Sequence, residues 1–138
     1  MESSIDNQGM KFDWREGALA QGLRRYRNQE FFEAHEDWEG VWLKCEDPEK
    51  RFLQGMIQLT AALHHFKKRN LRGTRSLLLA ALPRLAGCPP EFQDIAVGAL
   101  REEIQAWLRA LQQGTPPPDY PEIRILSEAN VTRKTPDT

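Results

Sequence analysis

A histidine and two glutamates within five residues are the strongest candidates for chemistry in this sequence. His35, Glu36 and Glu39 lie in a segment rich in phenylalanine and tryptophan. At about 100° per residue in a helix, His35 and Glu39 fall one turn apart, inside an apolar arc that includes Phe32 and Leu43. Because a buried carboxylate without a partner is costly, we expect Glu39 to meet a second polar group or a ligand.

One hypothesis is a divalent metal bound by His35, Glu39 and His64. Imidazole and carboxylate ligands suit zinc, iron, nickel or manganese, and ligands one helical turn apart are geometrically sound. A metal-bound water would then serve hydrolysis, with Glu36 and Glu39 as the catalytic candidates. The sequence therefore allows a metal-dependent, hydrolase-like enzyme as one alternative.

The other hypothesis is a buried polar network that fixes the register of two helices. His35 would donate to Glu39, or Glu39 would accept from a tryptophan ring nitrogen, so that the polar groups are satisfied without a metal. The residues assigned to this cluster, as a network or as a ligand site, are His35, Glu36, Glu39, Trp42, Gln54, Gln58 and His64. This leads to our first functional hypothesis, a non-enzymatic ligand-binding or interaction module.

Helical spacing recurs along the chain, and no long stretch alternates with period two, which predicts an all-α fold. Asn28 is expected to cap the second helix. Asn70 and Gly73 mark the junction before the fourth helix, which Pro83 ends or bends. The predicted helices cover residues 12–27, 28–45, 48–69, a leucine-rich stretch around 78–85, and 91–112.

We predict one compact domain over residues 1–138, a bundle of about five helices around a central antiparallel hairpin of helices two and three. Its core spans about 11–113. The proline-rich residues 114–130 are expected to be extended and to pack on the body, whereas 1–10 and 131–138 are expected to be loose.

The net charge of −1 gives no general case for nucleic acid or an anionic membrane as partner. Two basic patches, Arg24–Arg27 and Lys67–Arg75, nevertheless make RNA or polyanion binding a second alternative. Each patch also fits cations at the C-terminus of a predicted helix, where they favour the macrodipole. No aromatic platform or glycine-rich phosphate loop accompanies them in the sequence.

Location and assembly are constrained only weakly. The sequence contains no signal-peptide pattern and no apolar stretch that would span a bilayer, and Cys45 and Cys88 have no metal-type spacing. A cytoplasmic protein with free thiols and no membrane partner is the expectation. The oligomeric state stays open, a homo-oligomer included.

Two motifs in fixed order resemble domain-of-unknown-function family 309. The first is the run Phe31–Glu36 followed by Glu39 and Trp42, and the second is Leu53–Gln58 followed by Ala61–His64. The resemblance covers Leu19 to Leu85, and Trp38 departs from the smaller aliphatic residue common at that position. It implies a compact multi-helical fold without an established reaction, cofactor or substrate. The signature positions that carry over are His35, Glu36, Glu39, Trp42, Gln54, Gly55, Gln58 and His64.

Overall fold

The computed structural model describes residues 10–128, and expectations for residues 1–9 and 129–138 lie outside that range. The main helices of this range are α1 (Gly17–Arg27), α2 (Phe31–Trp42), α3 (Glu49–Lys67), α4 (Leu71–Ala86) and α5 (Val97–Gln113). Helix α3 packs against both α2 and α4, while α1 packs on α2 and α5 on α4. The predicted all-α fold is confirmed, with a two-stranded hairpin added. No helix within the described range is long and apolar enough to cross a membrane.

Helices α1 and α3 end in the same backbone turn. The residue two positions past each helix, Gln29 or Arg69, has a left-handed conformation with φ 64°. The N–H of the next residue, Glu30 or Asn70, donates to the carbonyl five residues back, at 2.7 Å and 2.9 Å. This is the Schellman arrangement, and here it turns the chain directly into the following helix.

The helix pairs α1–α2 and α3–α4 are one motif repeated at an offset of 40 residues. Helix α1 ends at Arg27 and α3 at Lys67, while α2 begins at Phe31 and α4 at Leu71. The repeat cannot be recognised from the sequence because it preserves backbone conformation and burial, whereas most residue types differ. Buried equivalent positions are Leu19 and Leu59, Leu23 and Leu63, and Trp38 and Leu78.

Helix α5 ends in the same turn but is not followed by a partner helix. Gly114 has φ 72°, and the Thr115 N–H donates to the Ala110 carbonyl at 3.0 Å. Residues 116–118 are all proline, which lacks the N–H that a helix needs and restricts the preceding residue to extended conformations. The first two turns each lead into a partner helix, whereas here the chain continues as an extended segment.

Residues 119–125, which we call the tail strap, run across the helices in extended conformation. Its side chains alternate between buried and exposed positions from residue 121 to 125, as in a strand with one face on a core. Side chains of α1 and α5 donate to the carbonyls of every second residue, which fixes the register. These bonds run from Trp107 to Asp119 (2.9 Å), from Tyr26 to Pro121 (2.6 Å) and from Arg27 to Ile123 (3.1 Å).

The first helix is shorter than predicted. Residues 10–16, the N-terminal strap, are not helical. Phe12 and Trp14 are both buried, a two-residue spacing that would point them to opposite sides of a helix. The Phe12 N–H donates to Gln93 Oε1 at 2.9 Å, and the Trp14 ring N–H donates to the Gln93 carbonyl at 2.8 Å. Tertiary hydrogen bonds thus replace those of the predicted helical turn.

The fifth helix also begins later than predicted, because residues 91–96 form a hairpin. Strand β1 (Glu91–Phe92) pairs antiparallel with β2 (Ile95–Ala96). The two turn residues, Gln93 and Asp94, have φ of 49° and 65°. Such turns usually contain Asn-Gly or Asp-Gly, so Gln-Asp gives little signal in the sequence.

The remaining comparisons with the predicted helices concern the helix ends. Asn28, predicted to cap α2, is instead the C-cap of α1, and Glu30 stands at the N-cap of α2. Asn70 does cap α4, because its side-chain oxygen accepts from the Gly73 N–H at 3.0 Å. Pro83 lies inside α4, which continues to Ala86.

Candidate functional site

The two candidate catalytic glutamates do not face the core. Glu36 and Glu39 are exposed, and His35 is half-buried. The prediction that Glu39 points inward is therefore wrong, and the buried His–Glu cluster is not formed.

The error comes from the width assigned to the apolar arc of α2. The predicted arc includes Phe32 and Leu43, yet their side chains are 48% and 67% exposed. Without them the arc narrows, and Glu39 lies about 100° from its centre on a helical wheel. The residues of α2 that are buried are Phe31, Ala34 and Trp38.

His35 and His64 do approach each other, with the ring of Phe32 beside both. The Phe32 and His35 rings are parallel to within 5°, with centroids 6.5 Å apart, and the Phe32 and His64 centroids are 5.5 Å apart. His65 follows at 6.2 Å from His64. Two of the three histidines, His35 and His64, therefore flank one half-exposed phenylalanine, and His65 adjoins His64.

The predicted metal ligands His35, Glu39 and His64 do not converge. Among residues 10–128, no group of three or more His, Cys, Asp or Glu side chains is placed to hold one metal ion. Partial burial, reinforced by the charge of Lys68, lowers the pKa of His64. The imidazoles of His35 and His64 lie on either side of Phe32 and form an aromatic surface with it.

The remaining predicted cluster residues belong to other parts of the fold. Gln58 accepts from Arg84 Nε at 3.1 Å, so it links α3 to α4 and does not meet Glu39. Gln54 is half-buried. Trp42 is half-buried under the Lys50 ammonium group, which lies 4.6 Å from the ring centroid.

Among residues 10–128 the one buried carboxylate is Glu49, which belongs to none of the sequence motifs. Glu49 is 4% exposed in the first turn of α3, where the helix dipole favours an anion. Its Oε2 accepts from Gln93 Nε2 at 3.0 Å, and the same nitrogen donates to the Met10 carbonyl at 2.9 Å. An acid at a helix start is visible in the sequence, but its burial depends on the hairpin and the strap.

A second cluster arises where the two repeated turns meet. Lys67 Nζ donates to the Gln29 carbonyl at 3.0 Å and lies 5.8 Å from the centroid of the buried Phe31 ring. The turn after α1 and the turn after α3 are thereby joined. The two basic patches, which are about 40 residues apart in sequence, become neighbours.

We call the cations of these two turns the basic end. Arg25 pairs with Asp37 at 2.9 Å and Arg27 pairs with Glu128 at 2.9 Å. The other six form no ion pair with any residue in the range 10–128, and all six are exposed. The basic end comprises Arg24, Arg25, Arg27, Lys67, Lys68, Arg69, Arg72 and Arg75.

Two cavities open at the basic end, one on each side of Gln29. The cationic cavity has a volume of about 430 Å³. It is lined by the start of α2, which includes Glu33, and by Glu30, His64, Lys67 and Lys68. The aromatic cavity, of about 380 Å³, is lined by Gln29, Phe66, Trp107, residues 117–118, Asp119 and Tyr120. Its rings come from α3, α5 and the tail strap, so the sequence contains no contiguous aromatic motif.

Comparisons with known proteins agree with the motifs found in the sequence. The chain is 34% identical over 100 residues to an uncharacterized protein of Aquifex aeolicus (strain VF5), which covers 72% of this chain and 30% of the relative. It is 31% identical over 86 residues to uncharacterized protein YpuF of Bacillus subtilis (strain 168), covering 59% and 48%. The chain thus spans less than half the length of either relative. The model of the Domain of unknown function (DUF309) matches residues 19–77, and over this stretch, which contains both motifs, the chain is similar to that family.

Proposed function

We propose that this protein is an interaction module that binds an anionic partner through the basic end. The observation that carries the proposal is the contact between Lys67 and Gln29, which joins the two turns and brings the two basic patches, with eight cations in all, next to each other. Six of the eight have no carboxylate partner within the described range. Cations concentrated in this way attract polyanions and accelerate association even when the net charge is near zero.

The neighbouring acids set the limits of the surface. Glu30 and Glu33 line the cationic cavity and weaken the positive field of Lys67 and Lys68 there. Arg69 and Arg72, near the α3–α4 turn, do not line this cavity. The partner is therefore expected to contact the α3–α4 turn more strongly than the α1–α2 turn, where Arg25 and Arg27 are already paired.

The test uses inorganic polyphosphate, a polyanion without any ring, titrated into the full chain at several salt concentrations. We expect binding that weakens steeply with salt. In the double variant Lys68→Glu/Arg72→Glu the dissociation constant should rise at least about tenfold at low salt, and the salt slope should fall by about two.

The matched control is Lys11→Glu/Lys44→Glu, which makes the same charge change at exposed positions outside the basic end. Lys44 follows the end of α2 as Lys68 follows the end of α3, so the local helix-dipole effect is similar. If both double variants lose the same affinity for polyphosphate, the change in net charge alone explains the loss, and the proposal is refuted. A salt-independent affinity would refute it as well.

A further inference from the structure

We infer that the anionic partner is a single-stranded nucleic acid, with one base entering the aromatic cavity while the adjoining phosphates lie on the basic end. This inference rests on the function proposed above and adds the class of ligand. Proteins that bind single strands without sequence preference combine a cationic path for the backbone with aromatic rings on which bases stack. Both elements occur here side by side.

The aromatic cavity is lined by three rings that pack against one another. The Trp107 and Tyr120 rings are stacked at 5.7 Å with an interplanar angle of 18°, and Phe66 meets Trp107 edge-on at 4.8 Å. Trp107 is buried beneath the cavity, whereas Phe66 and Tyr120 are half-buried and remain available to a ligand. A cavity of about 380 Å³ lies in the range that small planar ligands occupy.

The aromatic and cationic cavities are contiguous. Gln29 lines both, and the Phe31 ring lies 5.0 Å from Tyr120 on one side and 5.8 Å from Lys67 Nζ on the other. A base stacked at Tyr120 therefore has Lys67 and Lys68 within reach of its sugar–phosphate backbone. The single strand would pass from the aromatic cavity across the turn after α3.

The acidic group in the aromatic cavity argues for a base there and against a phosphate. Asp119 lines the cavity together with Gln29. A carboxylate repels a phosphate, but it accepts hydrogen bonds from the amino groups on a base edge. A duplex keeps its bases stacked inside. Only an unpaired base could therefore enter the cavity beside Asp119 while its phosphates lie on the cations outside.

The experiment compares three probes on the full chain: a decamer of single-stranded RNA, the same decamer annealed to its complement, and inorganic polyphosphate. The test variant is Tyr120→Leu, which removes the stacking ring and keeps apolar volume. Its control is Phe92→Leu, a half-buried aromatic position on the hairpin, away from the cavity. Melting temperatures of both variants verify that they fold.

We expect the single strand to bind more tightly than the duplex, and Tyr120→Leu to weaken single-strand binding by roughly 5- to 150-fold, the range for loss of one stacking partner. Polyphosphate binding should stay unchanged in that variant. If single-strand affinity is insensitive to Tyr120→Leu while Lys68→Glu/Arg72→Glu still weakens all three probes, the nucleic-acid inference fails and the proposed function stands. If none of the probes binds, both fail.

A second readout does not depend on how well the variant folds. RNA carrying 5-bromouracil is photo-crosslinked to the unaltered protein, and the attachment point is found by mass spectrometry. A crosslink at Phe66, Trp107 or Tyr120 is expected. Crosslinks confined to other residues, or a preference for a phosphorylated peptide over the RNA, would overturn the inference.

Discussion

The three Schellman turns allow a clean measurement of backbone strain, because the same left-handed position holds Gln29, Arg69 and Gly114. A residue with a β-carbon has a cost of about 1–2 kcal/mol in this conformation, which glycine avoids. Glycine also has more freedom to lose on folding, which costs about 0.5–1 kcal/mol. We expect Gln29→Gly and Arg69→Gly each to raise the free energy of unfolding by about 0.5–1 kcal/mol.

The reverse change tests the same reasoning. A β-carbon at Gly114 would meet no atom within 4 Å, so Gly114→Ala isolates the backbone effect from packing. We expect this variant to lose about 1 kcal/mol, or roughly 2–4 °C in melting temperature for a chain of this size. Urea unfolding of the three variants supplies the measurement.

Asn28→Gly is the matched control. Asn28 precedes the left-handed residue and has φ −91°, so glycine brings no relief there and should be neutral or slightly destabilising. The strain argument fails if Gly114→Ala is neutral, or if Gln29→Gly and Arg69→Gly destabilise the protein by as much as this control. The left-handed conformation would then not be a measurable cost at positions 29 and 69. The side chains of Gln29 and Arg69 would then be stabilising the native state.

Three further predictions concern packing, the tail strap and pH. Gly22→Ala would place a β-carbon 2.3 Å from the Trp38 ring nitrogen, so we expect a loss of about 3 kcal/mol in urea unfolding. Tyr26→Phe removes the 2.6 Å bond to the Pro121 carbonyl and should lower stability by about 1 kcal/mol, whereas an unchanged midpoint would show that water replaces the hydroxyl. Burial lowers the pKa of His64 from its ordinary 6.5, so the unfolded chain binds that proton more readily and stability falls as the pH drops below this value. His64→Gln should therefore lose less melting temperature between about pH 7.5 and about pH 5 than the unaltered protein, and identical losses would exclude this contribution.

The sequence predicts those parts of the fold in which local signals and tertiary contacts agree. The apolar stripe of α3 and the cap formed by Asn70 and Gly73 are examples, since both depend on nearest neighbours along the helix. The hairpin at Gln93 and the start of α1 are not predicted, because long-range hydrogen bonds between these two segments replace helical ones.

The candidate site was harder to predict, for a related reason. Phe32 and Leu43 are apolar yet exposed, and including them in the core placed Glu39 on the wrong side of α2. The basic end was visible as two separate patches. Their union depends on Gln29 and Lys67, which contact each other through a main-chain carbonyl that no residue pattern reveals.

Gln93 has a consequence for how the protein opens. Its side chain and carbonyl hold the N-terminal strap, and its amide also bonds to Glu49 of α3. The hairpin therefore cannot leave α3 without releasing the strap and leaving a buried carboxylate unpaired. The amide proton of Phe12 is thus shielded by a side chain 81 positions away and not by its own neighbours. In hydrogen exchange, strap and hairpin should behave as one cooperative unit, released together while both helix pairs remain protected.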